Sequence, residues 1–106
     1  LPLLPRTGPG GRRLWVVLDA AKHVATAPLD LGQLGCSVDA VCVSFYKVFG
    51  YPTGLGCLLL RRELAERLTG KAYFGGGTVQ AALADGAFRA LRPEPEKRLA
   101  DGTENY

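Results

Sequence analysis

The 106-residue sequence contains no methionine, one histidine and one tryptophan. It has no apolar run near the ~20 residues that cross a bilayer as a helix. A translated chain opens with methionine, and this one opens at Leu1, so the expectation is an internal piece of a longer protein. Its first residues do not make a secretory signal. They carry no basic segment, and Pro2 and Pro5 interrupt the apolar stretch. The cysteines are three, Cys36, Cys42 and Cys57, at spacings that suit neither a metal site nor a disulfide framework. Cys42 and Cys57 lie in apolar runs and read as small core residues, which points to a reducing, cytoplasmic compartment. Cys36 has no neighbouring His or Lys to activate it as a nucleophile.

Strong charge of either sign is also missing. Thirteen Lys and Arg against ten Asp and Glu leave a net charge of +3. The basic residues cluster only as the pairs Arg12–Arg13 and Arg61–Arg62, which read as solvated surface. A nucleic-acid face needs more than that, and no membrane partner is expected. What is present is 47% hydrophobic residues, enough for one folded piece and too much for wholesale disorder.

Residues 1–13, rich in Pro, Gly and Arg, read as a flexible leader. Residues 14–19 (LWVVLD) form an apolar run too short for a helix, suited to a strand buried on both faces. Thr26, Pro28 and Asp30 suggest a turn, then a helical turn through Leu31 and Leu34 up to Gly35. Residues 39–45 (DAVCVSF) read as a second strand and 57–60 (CLLL) as a third. Between them, residues 49–56 (FGYPTGLG) form a glycine-proline loop. A helix is expected over Arg61–Thr69, with Leu64 and Leu68 on one face and Gly70 as terminator. A short helix is expected over 94–100. The alternation argues for an α/β domain with a mostly parallel sheet.

Asp19 and Lys47 each lie at the end of a predicted buried strand. Parallel neighbours would bring both to one edge of the sheet, where α/β proteins place ligand groups. A lysine in an apolar setting is a recognised amine nucleophile for Schiff-base chemistry. Taken singly, Asp19 is as well explained by capping the next turn, and Lys47 as a surface residue at a loop entrance. Together with Ser44 and the glycine loop, the functional reading prevails. His23, the lone histidine, receives no role. The glycines at 75–77 lack the ending of a nucleotide phosphate loop, and Tyr73–Phe74 reads as packing.

The segments S-F-Y-K (Ser44–Lys47) and F-G-Y-P-T-G-L-G (Phe49–Gly56) resemble the cofactor-lysine region of class V aminotransferase-like proteins. L-D-A-A (Leu18–Ala21), G-G-G-T (Gly75–Thr78) and D-G-T (Asp101–Thr103) are similar to that family's other landmarks, in the same order. The resemblance implies a fragment of the large α/β domain of a fold-type-I enzyme over residues 14–106. The implied cofactor is pyridoxal 5'-phosphate (PLP). Lys47 would carry it in Schiff-base linkage, Asp19 would pair with the pyridine nitrogen, and Ser44 would bind the phosphate. Thr103 resembles a phosphate contact that the family supplies across a homodimer interface. The wording is most similar to the branch that takes sulfur from L-cysteine and sulfurates the molybdenum cofactor, leaving L-alanine and an enzyme persulfide. The persulfide cysteine of that branch matches none of Cys36, Cys42 or Cys57 and is expected outside these residues.

Two positions depart from the desulfurase pattern. Tyr46 stands where those enzymes carry a phosphate-binding His, and its phenol keeps one hydrogen-bond donor. Lys22 stands where they commonly carry Gln or His, and it either serves the ring's phenolic oxygen or points to solvent. The alternatives are a conventional cysteine desulfurase or another class V lyase, and a non-catalytic fragment. The segment alone is expected to fold poorly, its strands leaving open edges and uncovered apolar faces.

Overall fold

The computed structural model describes residues 6–50, 54–70 and 76–100. The chain divides into two compact units, one ending at Leu64 and the other beginning at Ala65.

The first unit is built on a three-stranded sheet: β1 (Val17–Asp19), β2 (Ala40–Ser44) and β3 (Gly56–Leu60), in that spatial order. β1 and β2 run parallel, with Val17 opposite Ala40, Leu18 opposite Val41 and Asp19 opposite Cys42. A parallel return needs a crossover of about a dozen residues or more, and residues 20–39 supply it. That crossover holds 3-10 turns at His23–Ala25 and Gly35–Ser37, with helix α1 (Leu31–Leu34) between them. Asp30 starts α1, its carboxylate accepting from the backbone N–H groups of Gly32 at 2.8 Å and Gln33 at 3.3 Å. Those are donors that a helix start otherwise leaves without partners.

β3 runs antiparallel to β2, from Ala40 opposite Leu60 to Ser44 opposite Gly56. The expected mostly parallel sheet is therefore seen in one pair and not in the other. The link between β2 and β3 begins with helix α2 (Phe45–Phe49) directly at the strand end. Too little chain remains to travel back to the far edge, so the third strand returns as the arm of a hairpin. Gly50 closes α2 in the left-handed region at φ 78°, its N–H bonded to the Tyr46 carbonyl at 2.8 Å.

One face of this sheet is covered. Val41 packs with Ala20 and Leu34, and Leu18, Val24, Leu29, Val38 and Val43 close around them. Strand period two sends Val17, Asp19 and Leu58 the other way. There Val17 is 60% and Leu58 51% exposed. β1 is thus not the doubly buried strand expected from its apolar run, because hydrophobicity marks a strand without saying what covers it.

Residues before β1 also fold back. Around a 3-10 turn at Pro9–Gly11, Gly8 N–H bonds the Arg12 carbonyl and Leu14 N–H bonds the Arg6 carbonyl, each at 2.8 Å. Helix α3 (Arg62–Arg67) follows β3 and buries Leu64 and Ala65. It stops short of the expected 61–69. Leu68 N–H bonds the Ala65 carbonyl in a tightened last turn, and the Leu68 side chain is exposed.

The second unit contains a hairpin that the sequence reading does not place. β4 (Val79–Ala82) and β5 (Arg89–Leu91) pair antiparallel, with an irregularity between Val79 and Ala81. Helix α4 (Pro95–Leu99), starting on a proline as first turns allow, packs against a 3-10 turn at Gly76–Thr78. Thr78 and Arg98 are its buried polar side chains among the described residues.

Candidate functional site

The parallel register places the chain after Asp19 and the chain after Ser44 on the same sheet edge. Asp19 lies opposite Cys42, and Ser44 follows Cys42 by two residues, so Asp19, Cys42 and Ser44 share a face. The pairing continues one step beyond β1, where Ala20 N–H bonds the Cys42 carbonyl at 3.0 Å. The turn at His23–Ala25 then packs against α2, so the two segments leaving the edge lie side by side.

Asp19 is exposed, and its Oδ1 accepts from Ala21 N–H at 3.0 Å. Asp19 borders an open cleft of about 460 Å³ also lined by Leu18, His23, Leu29 and Gln33. Ser44 occupies the position before α2, yet its hydroxyl makes no capping bond to the helix. The side chain is left to interact elsewhere. Tyr46 is 40% exposed. The Lys47 Nζ lies 5.7 Å from the centre of the Tyr46 ring, a cation–π distance. Among the described residues no carboxylate lies within ion-pair reach of Lys47.

Lys47 is not buried. The expected apolar setting is absent because α2 leaves the sheet at Phe45 and carries Tyr46 to Phe49 beyond the shelter of the strands. Lys22 is exposed as well. Thr103, residues 51–53 of the glycine-proline loop and residues 71–75 lie outside the described residues. The loop's far end is described. A Cβ on Gly56 would meet the Val43 carbonyl oxygen at 2.6 Å. Only glycine lets β3 approach β2 this closely beside Ser44.

Sequence reasoning missed Asp39. It is buried, 1% exposed, at the start of β2. Its Oδ2 accepts from Val16 N–H at 2.8 Å and from the Arg6 guanidinium. Arg13 Nη2 and Arg61 Nε lie 3.6 and 3.8 Å from Oδ1. Burial pushes the Asp39 carboxyl up, but the Val16 N–H bond, Arg6 and Arg13 outweigh it and hold the pKa below the ordinary carboxylate value. Arg13 also bonds Glu63 at 2.8 Å and lies 4.2 Å over the Trp15 ring. The basic residues read as solvated pairs are therefore partly a charge hub. No local spacing announces it, since Arg6 and Asp39 are 33 positions apart.

The donor set at the opposite edge fits PLP. A carboxylate suits a protonated pyridine nitrogen, a primary amine suits the aldehyde, and two hydroxyls suit the phosphate.

The sequence model of the aminotransferase class-V family matches residues 11–106. The molybdenum cofactor sulfurase of Anopheles gambiae is 53% identical over 100 residues, covering 93% of this chain and 13% of that protein. The molybdenum cofactor sulfurase of Arabidopsis thaliana is 47% identical over 95 residues, covering 90% and 11%. That of Homo sapiens is 46% identical over 104 residues, covering 98% and 11%. The chain thus spans 11–13% of the length of these relatives. No solved structure matches it. The chain belongs to the aminotransferase class-V family.

Proposed function

We propose that this member of the aminotransferase class-V family is the cofactor-anchoring part of a PLP-dependent molybdenum cofactor sulfurase working in the cytoplasm. The whole protein would take sulfur from L-cysteine, yielding L-alanine and a protein persulfide, and pass the sulfur to the molybdenum cofactor. The observation that carries the reading is the β1–β2 register, which delivers Asp19 and Ser44–Lys47 to one sheet edge. The likeness to molybdenum cofactor sulfurases, with Tyr46 where desulfurases carry His, favours this branch over iron–sulfur desulfurases.

Bound PLP supplies an electron sink for the substrate's α-carbon. The residues of this chain hold and orient. Asp19 keeps a proton on the pyridine nitrogen, because an adjacent carboxylate favours the charged form of that base. The bond from Ala21 N–H engages Oδ1, and Oδ2 would be available to the cofactor's pyridine nitrogen. Ser44 and Tyr46 donate hydroxyl hydrogen bonds to the phosphate, with Thr103 adding one from the other subunit of a homodimer. Lys47 would hold the cofactor through Nζ and would serve as the group that moves a proton at the substrate's α-carbon.

The test is an absorbance titration with PLP of the longest natural polypeptide that carries these residues. A band at the edge of the visible that disappears in Lys47→Ala is the expected result. A folded protein without such a band sinks the reading and leaves a non-catalytic role.

A further inference from the structure

The arginines around Asp39 carry more positive charge than the neighbouring acids balance. Arg6, Arg13 and Arg61 surround one carboxylate, and only one further acid, Glu63, reaches any of them among the described residues. The Asp39 side chain is fully buried, while those of Arg6 and Arg13 are 32% and 45% exposed. Both guanidinium groups therefore meet the acid and still reach solvent. A guanidinium has five N–H donors in a planar fork, and one carboxylate cannot fill the donors of three.

The fold gives these donors a shape to act in. Thr7 pairs with Arg13 in a short antiparallel bridge, and Gly10 and Gly11, each at φ 72°, let the chain reverse between them. Arg6, Thr7, Gly11 and Arg13 then line an open concavity of about 400 Å³, within the size range of small-ligand sites. No acid is among these lining residues. The Arg13 guanidinium also lies 4.2 Å from the centre of the Trp15 ring, an aromatic support that limits its freedom.

We infer that this concavity is an oxyanion site for a phosphate-bearing small molecule, with Arg6 and Arg13 as charged donors and the Thr7 hydroxyl as a neutral one. Two guanidinium forks suit the several oxygens of a phosphate, and charge-assisted hydrogen bonds are the strong ones. The site stands on residues around the start of β2 and is independent of the function proposed above. Glu63 enters as a competitor, since it accepts from Arg13 Nη1 at 2.8 and 2.9 Å.

The experiment is a calorimetric titration of the longest natural polypeptide carrying these residues with sodium phosphate, against sodium chloride at equal ionic strength. Phosphate should bind saturably and chloride should not. Glycerol 3-phosphate should bind at least as well as phosphate, because the concavity is open. Arg13→Gln should weaken phosphate binding about tenfold, the loss of one hydrogen bond to a charged group. Arg12→Gln removes the same charge from the same turn without touching the concavity, and should change affinity less than about twofold. Glu63→Gln releases Arg13 and should tighten binding about two- to fivefold. Absence of saturable binding, an equal response to chloride, or equal weakening in Arg12→Gln and Arg13→Gln would overturn the inference. Exclusion of glycerol 3-phosphate would overturn the small-molecule ligand. If Arg13→Gln does not fold, Glu63→Gln decides, and unchanged or weaker binding there overturns the site.

Discussion

The two ends of the three-stranded sheet use similar residues to opposite effect. At the N-terminal end of β2, Asp39 is buried among Arg6, Arg13, Arg61 and the Val16 N–H group. At the C-terminal end, Asp19 and Lys47 are exposed, and no ion pair joins them among the described residues. The first end surrounds its carboxylate with cations from two distant segments, the Arg6–Arg13 turn and Arg61, so its charges hold the fold, although only Oδ2 is hydrogen-bonded. The second has no ion pair between its carboxylate and its amine among the described residues, so neither charge is spent on holding the fold. A carboxylate–cation pairing that stabilises a protein is one that is unavailable for chemistry.

Breaking the closed end should cost most. Asp39→Asn removes the charge while keeping the volume and leaves the arginines facing one another. We expect a loss of about 3 kcal/mol, typical of breaking a buried ion pair, read as a lower urea midpoint. An unchanged midpoint would mean that the hub contributes nothing. Acid should act on the same group. Its folded pKa is depressed below 3.8, so its contribution is fully present above that value and is lost as pH falls through the folded one. An acid-unfolding scan should show a transition below about pH 4 that flattens in Asp39→Asn.

Gly56→Ala tests the join between the two ends. The added Cβ would press on the Val43 carbonyl and part β2 from β3. A loss of about 1–3 kcal/mol follows from such overpacking, together with weaker PLP binding because Ser44 pairs with Gly56. Asp30→Ala removes the cap of α1 and should cost about 1 kcal/mol, with little change in PLP affinity. Lys47→Ala should alter stability least, by under about 0.5 kcal/mol, as surface substitutions do, while abolishing the PLP band. A large destabilisation there would erase the contrast between the two ends.

Much of the open end was legible before the fold was known. Apolar runs ending in Asp19 and Ser44 mark strand ends, and Asp30 with Gly35 marks the limits of α1, because these signals are local in the chain. The β4–β5 hairpin was missed although Asp85–Gly86 stands between apolar residues, a usual hairpin signal. Its alternation is weak, since alanines occupy much of both strands. The burial expected for β1 and Lys47 did not hold, because periodicity reports which side chains share a face and not what lies against it.

The sequence by itself determined the residue chemistry of the candidate site and the order of its landmarks, since both depend on neighbours along the chain. Only the tertiary structure decided that β3 returns antiparallel, that Asp39 gathers Arg6, Arg13 and Arg61, and that Arg98 reaches the Ala65 carbonyl. Each of these is a meeting of groups far apart in sequence. Such meetings are governed by strand register and burial, and no local pattern encodes them.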